Sequence, residues 1–380
     1  MSPGVRKIVG AWLVVGCVMV FFQVILGGIT RLTESGLSIT QWKPINGIVP
    51  PLNEEEWNRE FELYKEKVQY KVINEGMSLH EFKWIFFWEF FHRFWARMFI
   101  VAFVFPFAYF LYRRWLDKGL ILSLIGLFVF GGLQGFVGWI MVKAGLSGLF
   151  VPPLRLTVHL VLAFILFAWT VYLTLRVYRE DSNFQLKVSG SKLVSLRWFA
   201  VTILVVLFLQ LFLGGIVSGM KAGLAYPTWP DMNGEFVPAV LSNPPVAVGP
   251  SSYGAQGPWS RAISQFMNGI TSYVPQDTWS RAFIQLVHRL TAYTLVLLIG
   301  IFYFKSRNIT GDKIFQTGLN LFPVAVLLQA CIGIATVLHC VGKIPVSWGV
   351  LHQAGAMLLL AETVFVIFHL YKGEVSPTET

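Results

Sequence analysis

The 380-residue chain is 55% hydrophobic and only 13% charged, with a mean hydropathy of +0.61. Those values exclude an ordinary soluble domain and describe a membrane protein. The formal charge of +10 does not point to nucleic acid, because the basic residues collect in alternate connections between apolar runs.

In chain order, apolar runs of about 20 residues, the length that crosses a bilayer, fall at 8–28, 84–111, 120–142, 156–177, 198–218, 281–304, 314–338 and 348–371. The predicted fold is all-α and integral to the membrane, with eight transmembrane helices. Arg6 and Lys7 precede the first run. Arg113, Arg114 and Lys118 lie in the second connection, Arg176, Arg179, Lys187, Lys192 and Arg197 in the fourth, and Lys305, Arg307 and Lys313 in the sixth. The third and seventh connections hold only Lys143, Arg155 and Lys343. This bias places both termini on the cytoplasmic side of a bacterial inner membrane, or on the matrix side of the mitochondrial one. The first run is long for a signal peptide and lacks a small-residue cleavage site, so it is expected to persist as a helix. Cys17, Cys331 and Cys340 are too few and too scattered for a disulfide framework.

Two outer connections are long. Within 29–83, Trp57, Phe61 and Tyr64 are spaced as on one face of an amphipathic helix over 53–71, expected at the membrane interface. Within 219–280, the stretch 238–260 is rich in Pro, Gly and Ser and reads as irregular loop. The tetrapeptide Trp-Ser-Arg-Ala occurs there twice, at 259–262 and 279–282.

An internal repeat organises the chain. Gly27-Gly28-Ile29 recurs as Gly214-Gly215-Ile216, and Gly36-Leu37 and Trp42 as Gly223-Leu224 and Trp229, at an offset of 187. Leu133-Gln134 with Gly138 recurs as Leu328-Gln329 with Gly333, at an offset of 195. Each half carries four spans, so both enter the membrane in the same sense. A parallel repeat of this kind predicts two four-helix bundles, 1–180 and 181–380, related by a pseudo-twofold axis along the membrane normal.

Histidines follow the repeat. His92 matches His288 at an offset of 196, and His159 matches His352 at 193. All four occupy the outer third of even-numbered spans and so share one depth. A single histidine on an apolar helix is more often an ordinary hydrogen-bonded residue, but intramembrane ionisable groups are expensive, and four matched by repeat favour ligands. Two imidazoles per site without a thiolate suit heme, copper or a mixed site. The outer-end glycines (Gly27, Gly28, Gly135, Gly138, Gly214, Gly215 and Gly333) would let backbone approach a flat ligand, or would simply serve helix packing. Arg93 and Arg97 share a face with His92. They stay charged and need a partner, which heme propionates near the outer interface would supply. Arg289, equivalent to Arg93, joins them as a cofactor-binding candidate. His80, His339 and His369 have no repeat partner and are expected to be interfacial.

The halves differ in one chemical respect: Glu89 corresponds to Gln285, Arg97 to Tyr293 and Glu34 to Lys221. Only the first half places a carboxylate one turn from its histidine, where it can move protons or simply pair with Arg93. Chemistry is therefore expected in the first half and electron carriage in the second.

The segments Leu-Gly-Gly-Ile-Thr-Arg-Leu-Thr-Glu-Ser-Gly-Leu-Ser (26–38), Glu-Phe-Lys-Trp-Ile-Phe (81–86), Glu-Phe-Phe-His-Arg-Phe-Trp-Ala-Arg (89–97) and Gln-Gly-Phe-Val-Gly-Trp-Ile-Met-Val-Lys-Ala-Gly-Leu (134–146) resemble the heme A synthase family, in its proteobacterial and mitochondrial branch. The likeness runs from about residue 8 to 371. It implies oxidation of the C8 methyl of heme O to a formyl group, giving heme A for terminal oxidase assembly. It places His92 and His159 at the substrate heme, with Glu89 as the catalytic acid beside them. His288 and His352 then become the ligands of a heme B cofactor. An outer-loop cysteine pair carried by Gram-positive members is absent, so a thiol relay is not carried over. Partners implied are heme O, membrane lipid, a heme O synthase and an electron-transfer protein, with an oligomer left open, and no nucleic acid. Two rival classes are a diheme b-type electron carrier that oxidises a quinol and, suggested only by the repeat, a transporter. The transporter is disfavoured because the ionisable residues cluster near the outer face rather than at the midplane.

Overall fold

The computed structural model describes residues 1–41, 46–146, 148–179, 184–242, 258–271 and 278–375. Eleven α-helices are found among them. In chain order they are α1 (Pro3–Leu32), α2 (Glu54–Lys65), α3 (Val68–Ile73), α4 (Leu79–Tyr112), α5 (Lys118–Gly145), α6 (Pro153–Tyr178), α7 (Gly190–Gly219), α8 (Pro258–Thr271), α9 (Thr278–Ser306), α10 (Lys313–Leu338) and α11 (Val346–Lys372). The eight long ones coincide with the eight expected spans and are long and apolar enough to cross a membrane. This is a multi-pass, all-helical membrane protein.

Four spans overrun their apolar runs into polar side-chain caps that lie outside them. Ser2, Asp117 and Asp312 accept from the third backbone N–H of α1, α5 and α10, and Ser78 forms a reciprocal capping box with Glu81 at the start of α4. These side chains satisfy orphan donors at the helix starts, so the helices can begin several residues before the apolar run does.

Consecutive spans pair as hairpins: α1 with α4, α5 with α6, α7 with α9 and α10 with α11. The four helices α1, α6, α7 and α11 form the interior, with α6 against α7 and α11, and α11 against α1 and α7. The largest apolar cluster draws on both halves, from Val24 and Phe164 through Ile203 and Leu207 to Phe302, Phe322 and Met357. A second cluster, around Trp12, Leu13, Phe103 and Leu124, belongs to the first half. Outward faces stay apolar too, as at Phe105, Leu122, Val129 and Leu297, which suits lipid contact.

Repeat-equivalent positions meet each other where α1 and α7 end. Arg31 donates to the carbonyl of Ser218, its equivalent at an offset of 187, and also to that of Gly219. Glu34 forms an ion pair with Lys221, again its own equivalent. The inner ends are stitched separately. Arg179 after α6 pairs with Asp312 at 2.5 Å, Arg197 donates to the Leu370 carbonyl, and β1 (Gln185–Leu186) runs parallel to β2 (Glu374–Val375).

Three expectations are refined. The amphipathic segment over 53–71 is two helices, α2 and α3, and Phe61 and Tyr64 pack onto Phe82 of α4, with Trp57 on Phe86. The long second-half loop is partly helical: the two Trp-Ser-Arg-Ala copies occupy the same position near the starts of α8 and α9. Most of the Pro/Gly-rich stretch, 243–257, lies outside the described residues, as does Trp42. His369, in the last turn of α11, is buried within the protein rather than open to its surface. Its ring is 1% exposed and packs against Phe184, Phe315, Phe365 and Phe368, with Nδ1 on the Phe365 carbonyl at 2.8 Å.

Candidate paired-histidine sites

Every hairpin delivers the same three residues to the same place. The odd-numbered span of each pair carries a glutamine and, one turn later, a glycine; the even-numbered span carries the histidine. In α1 and α4 the set is Gln23, Gly27 and His92; in α5 and α6 it is Gln134, Gly138 and His159. In α7 and α9 it is Gln210, Gly214 and His288; in α10 and α11 it is Gln329, Gly333 and His352. The glycines are needed because the rings press on them. A methyl group at Gly27, Gly138, Gly214 or Gly333 would lie 3.1, 2.9, 3.2 or 2.8 Å from the Cε1 of its histidine, closer than side chains ordinarily approach. A side chain there would push the imidazole off its helix partner.

The glutamines hold the other side of the contact. Gln23 Nε2 lies 3.2 Å from both ring nitrogens of His92 and 3.3 Å from its carbonyl. Gln134 Nε2 lies 3.4 Å from His159 Nε2 and donates to the His159 carbonyl at 3.0 Å. Gln210 Nε2 is 3.3 Å from His288 Nε2. Gln329 Nε2 is 3.1 Å from His352 Nδ1 and donates to the His352 carbonyl at 2.9 Å.

Across hairpins the rings pair within each half. His92 and His159 are close enough to interact electrostatically, and so are His288 and His352. Among the described residues no cluster of three or more His, Cys, Asp or Glu side chains could hold a metal ion. Two imidazoles are nevertheless a full protein contribution to an iron whose other four positions are filled by a porphyrin. The glycine cradles, the paired rings and the unpartnered Nδ1 atoms of His159 and His288 fit such a group.

At the rim of the first site, Glu89 is 2% exposed. Oε2 accepts from the Ser38 hydroxyl and the Ile39 N–H, both at 2.7 Å, and Oε1 pairs with Arg93 at 2.5 Å. The pair with Arg93 is thus real, and the carboxylate also fastens the first outer loop to α4. Beside it lies a cavity of about 420 Å³, lined by Arg93 and Arg97 of α4 together with Arg59 and Glu60 of α2. Tyr64, under this cavity's helix, is fully buried and donates to Gln69 Oε1 at 3.0 Å. Burial pushes its phenol up to about 12, with the charges of Glu89 and Glu34 adding to the effect. It remains a hydrogen-bond donor at any working pH.

The second site has a different rim. Gln285, 3% exposed, donates to the Tyr226 carbonyl at 2.8 Å. Arg289 donates to the carbonyls of Asp231 and Thr228 at 2.7 Å and of Tyr226 at 3.2 Å. Its guanidinium therefore clasps the second outer loop. The Asp231 carboxyl is held below its usual range by the Gly234 N–H and the Thr228 hydroxyl, with Arg289 adding to it. Tyr293, at the position of Arg97, accepts from Trp229 Nε1 at 3.0 Å. Cys17, Cys331 and Cys340 are all free thiols, and burial raises that of Cys340.

Sequence reasoning singled out the four histidines, Glu89, Arg93 and Arg97, of which Glu89 pairs with Arg93 and both arginines line the adjoining cavity. It missed the four glutamines as a set, and with them the unit of repetition. Gln-x-x-x-Gly occurs in each odd-numbered span, a signal visible only when quarters of the chain are compared rather than halves. Arg59 and Ser38 were also missed: Arg59 lies on the polar side of α2 and Ser38 on the connection after α1, where nothing in the pattern marks a partner.

Fold and sites together define a polytopic helical membrane protein with one paired-histidine site in each half. The model of the COX15-CtaA family, described as cytochrome oxidase assembly protein, matches residues 10–364. The heme A synthase of Nitrosospira multiformis is 39% identical over 363 residues, covering 95% of this chain and 93% of its own. That of Parvibaculum lavamentivorans is 38% identical over 368 residues, covering 95% and 94%, and that of a Caulobacter species is 40% identical over 355 residues, covering 93% of each. The chain belongs to the COX15-CtaA, or heme A synthase, family.

Proposed function

We propose that this protein is a heme A synthase, an oxidoreductase that converts the C8 methyl of heme O to a formyl group and so supplies heme A for terminal oxidase assembly. Near-full-length likeness to proteins of that name supports the overall activity. The observation that carries the assignment of roles is the unequal rim around two equal ligand sets. His92 and His159 hold the substrate heme in the first half (1–180). His288 and His352 hold a heme B cofactor in the second half (181–380). The two halves are related by a pseudo-twofold axis, supported by the contacts between equivalent positions, Arg31 with Ser218 and Glu34 with Lys221.

The chain's own residues divide the work as follows. Arg93, Arg97 and Arg59, gathered at the outer cavity, neutralise the propionates of the substrate heme. Glu89 is positioned by Ser38, Ile39 and Arg93 so that one carboxylate stands beside the histidine pair, where it can accept a proton as the substrate methyl is oxidised. Arg289 orders the second outer loop over the cofactor site. A heme B held by His288 and His352 would supply one-electron chemistry there. The substrate's farnesyl tail favours entry sideways from lipid. The protein lies in a bacterial inner membrane with both termini cytoplasmic and the heme sites nearer the outer face, receiving heme O from its synthase.

The test is direct. The chain is expressed with a source of heme O, and the extracted hemes are separated by chromatography. Heme A or its hydroxylated precursor appears, and disappears in Glu89→Ala while the second-half heme stays bound. Unchanged b-type heme in both halves would instead make the protein a diheme electron carrier. A preparation without heme would sink both readings.

A further inference from the structure

Four buried atoms remain without a partner at four equivalent places. Oε1 of Gln23, Gln134, Gln210 and Gln329 makes no hydrogen bond, although each amide nitrogen is engaged. In three cases the nitrogen's orientation is settled by chemistry. It donates to the backbone carbonyl of the very histidine it faces, which an amide oxygen could not do. The oxygen beside it is therefore a true orphan acceptor rather than a misassigned nitrogen. A buried carbonyl left unsatisfied is costly, and one repeated at all four histidines is a feature of the repeating hairpin.

We infer that these four glutamines are positioning residues for the heme ligands: each amide fixes the plane of its imidazole and offers its oxygen to the ring N–H that remains when the other ring nitrogen is on iron. The inference rests on the bis-histidine heme reading above. An imidazole committed to a metal through one nitrogen must carry its proton on the other. Such N–H groups are almost always given to a carboxylate, a carbonyl or water, which sets both orientation and basicity. Among the described residues no carboxylate is hydrogen-bonded to the rings, so the amide oxygen is the acceptor at hand. Glutamine suits the place because one planar group can accept from the facing imidazole while its nitrogen donates to that helix's backbone, as the nitrogen does at Gln23, Gln134 and Gln329. The glycine one turn away lets the two helices close until the amide reaches the ring. Leucine would fill the same volume and make neither bond.

Gln210 offers the cleanest test, because its nitrogen contacts the His288 ring and has no bond to the His288 carbonyl. Full-length protein is purified with its second-half heme as wild type, Gln210→Leu and Gln210→Glu. Heme content, heme affinity, midpoint potential and low-temperature electron paramagnetic resonance are then measured. In Gln210→Leu the heme should remain bound through both histidines but about 10- to 100-fold more weakly. Its potential should rise, and its g-values should change as the imidazole plane turns. In Gln210→Glu, a stronger acceptor should drive the potential the other way. Gln329→Leu and Gln329→Glu should repeat both shifts from the opposite face of the same heme, and they serve if the Gln210 variants do not fold. Leucine variants with full heme and unchanged potential and g-values would overturn the inference. Wild-type protein whose heme lacks a two-imidazole spectrum would overturn the underlying reading instead.

Discussion

The two halves agree where a ligand is held and disagree where the loop meets the site. Around the rings, glutamine, glycine and histidine are repeated in all four hairpins. At the rim, one helix position does one mechanical task with two chemistries. Glu89 pulls the first outer loop down by accepting from Ser38 and Ile39, and Gln285 pulls the second down by donating to the Tyr226 carbonyl. The same anchor is thus kept while the carboxylate is confined to one half. A merely structural need would be met by either residue, so the confinement of the acid to the half with an arginine-lined cavity is the difference that the proposed proton transfer would account for.

Removing ligands should break this comparison most completely. His288→Ala or His352→Ala should abolish the low-spin b-type spectrum of the purified protein and all turnover with it. His92→Ala or His159→Ala should leave that spectrum and remove only the conversion of heme O. Optical spectra paired with heme extraction read both outcomes. Loss of the b-type spectrum on His92→Ala would reverse the assignment of substrate and cofactor to the halves.

Exchanging the rim residues tests the acid itself. Glu89→Gln makes the first half resemble the second, and turnover should fall by about 10²- to 10⁴-fold if the group transfers protons. Because Ser38, Ile39 and Arg93 lose a charged acceptor, stability should fall by about 1–3 kcal/mol, visible as a lower midpoint in thermal unfolding in detergent. The reverse change, Gln285→Glu, sets a carboxylate against the Tyr226 carbonyl. It should destabilise by a similar amount without creating a second site of turnover. Activity retained in Glu89→Gln, with the same loss of stability, would leave Glu89 as a loop anchor and nothing more.

What the sequence made legible follows from the same physics. Eight spans were plain because about 20 apolar residues are needed to cross hydrocarbon, and their ends ran further because Ser2, Ser78, Asp117 and Asp312 cap from outside the apolar run. The four histidines stood out because polar groups at that depth are few. Which helices lie inside was not legible. Lipid is as apolar as a protein core, so α1, α6, α7 and α11 carry no clear amphipathic signature to set them apart from the outer four. The glutamines were hidden for a different reason: each was read as one polar residue in a run, whereas its meaning lies in the ring it faces across a hairpin. Ser38 and Arg59 come from loop and surface segments, where only the folded chain reveals the partner.

The smallest effect concerns the symmetry that makes the comparison meaningful. Two points related by a twofold axis can touch only if they lie close to it, so under the proposed pseudo-twofold relation the ion pair between Glu34 and Lys221 would lie where the halves turn into one another. Both side chains are about a quarter exposed, so the pair should contribute only about 0–1 kcal/mol, and less at high salt. A double-mutant cycle of Glu34→Gln and Lys221→Met, read by thermal unfolding at low and high ionic strength, should return a coupling of that size that shrinks with salt. Exchanging the two charges, Glu34→Lys with Lys221→Glu, should recover most of it, since positions near a twofold axis are interchangeable in a way that an asymmetric interface would not allow. A swap that fails while each conservative single change is tolerated would show that the outer loops have diverged too far for the axis to relate them, leaving the repeat a property of the hairpins alone.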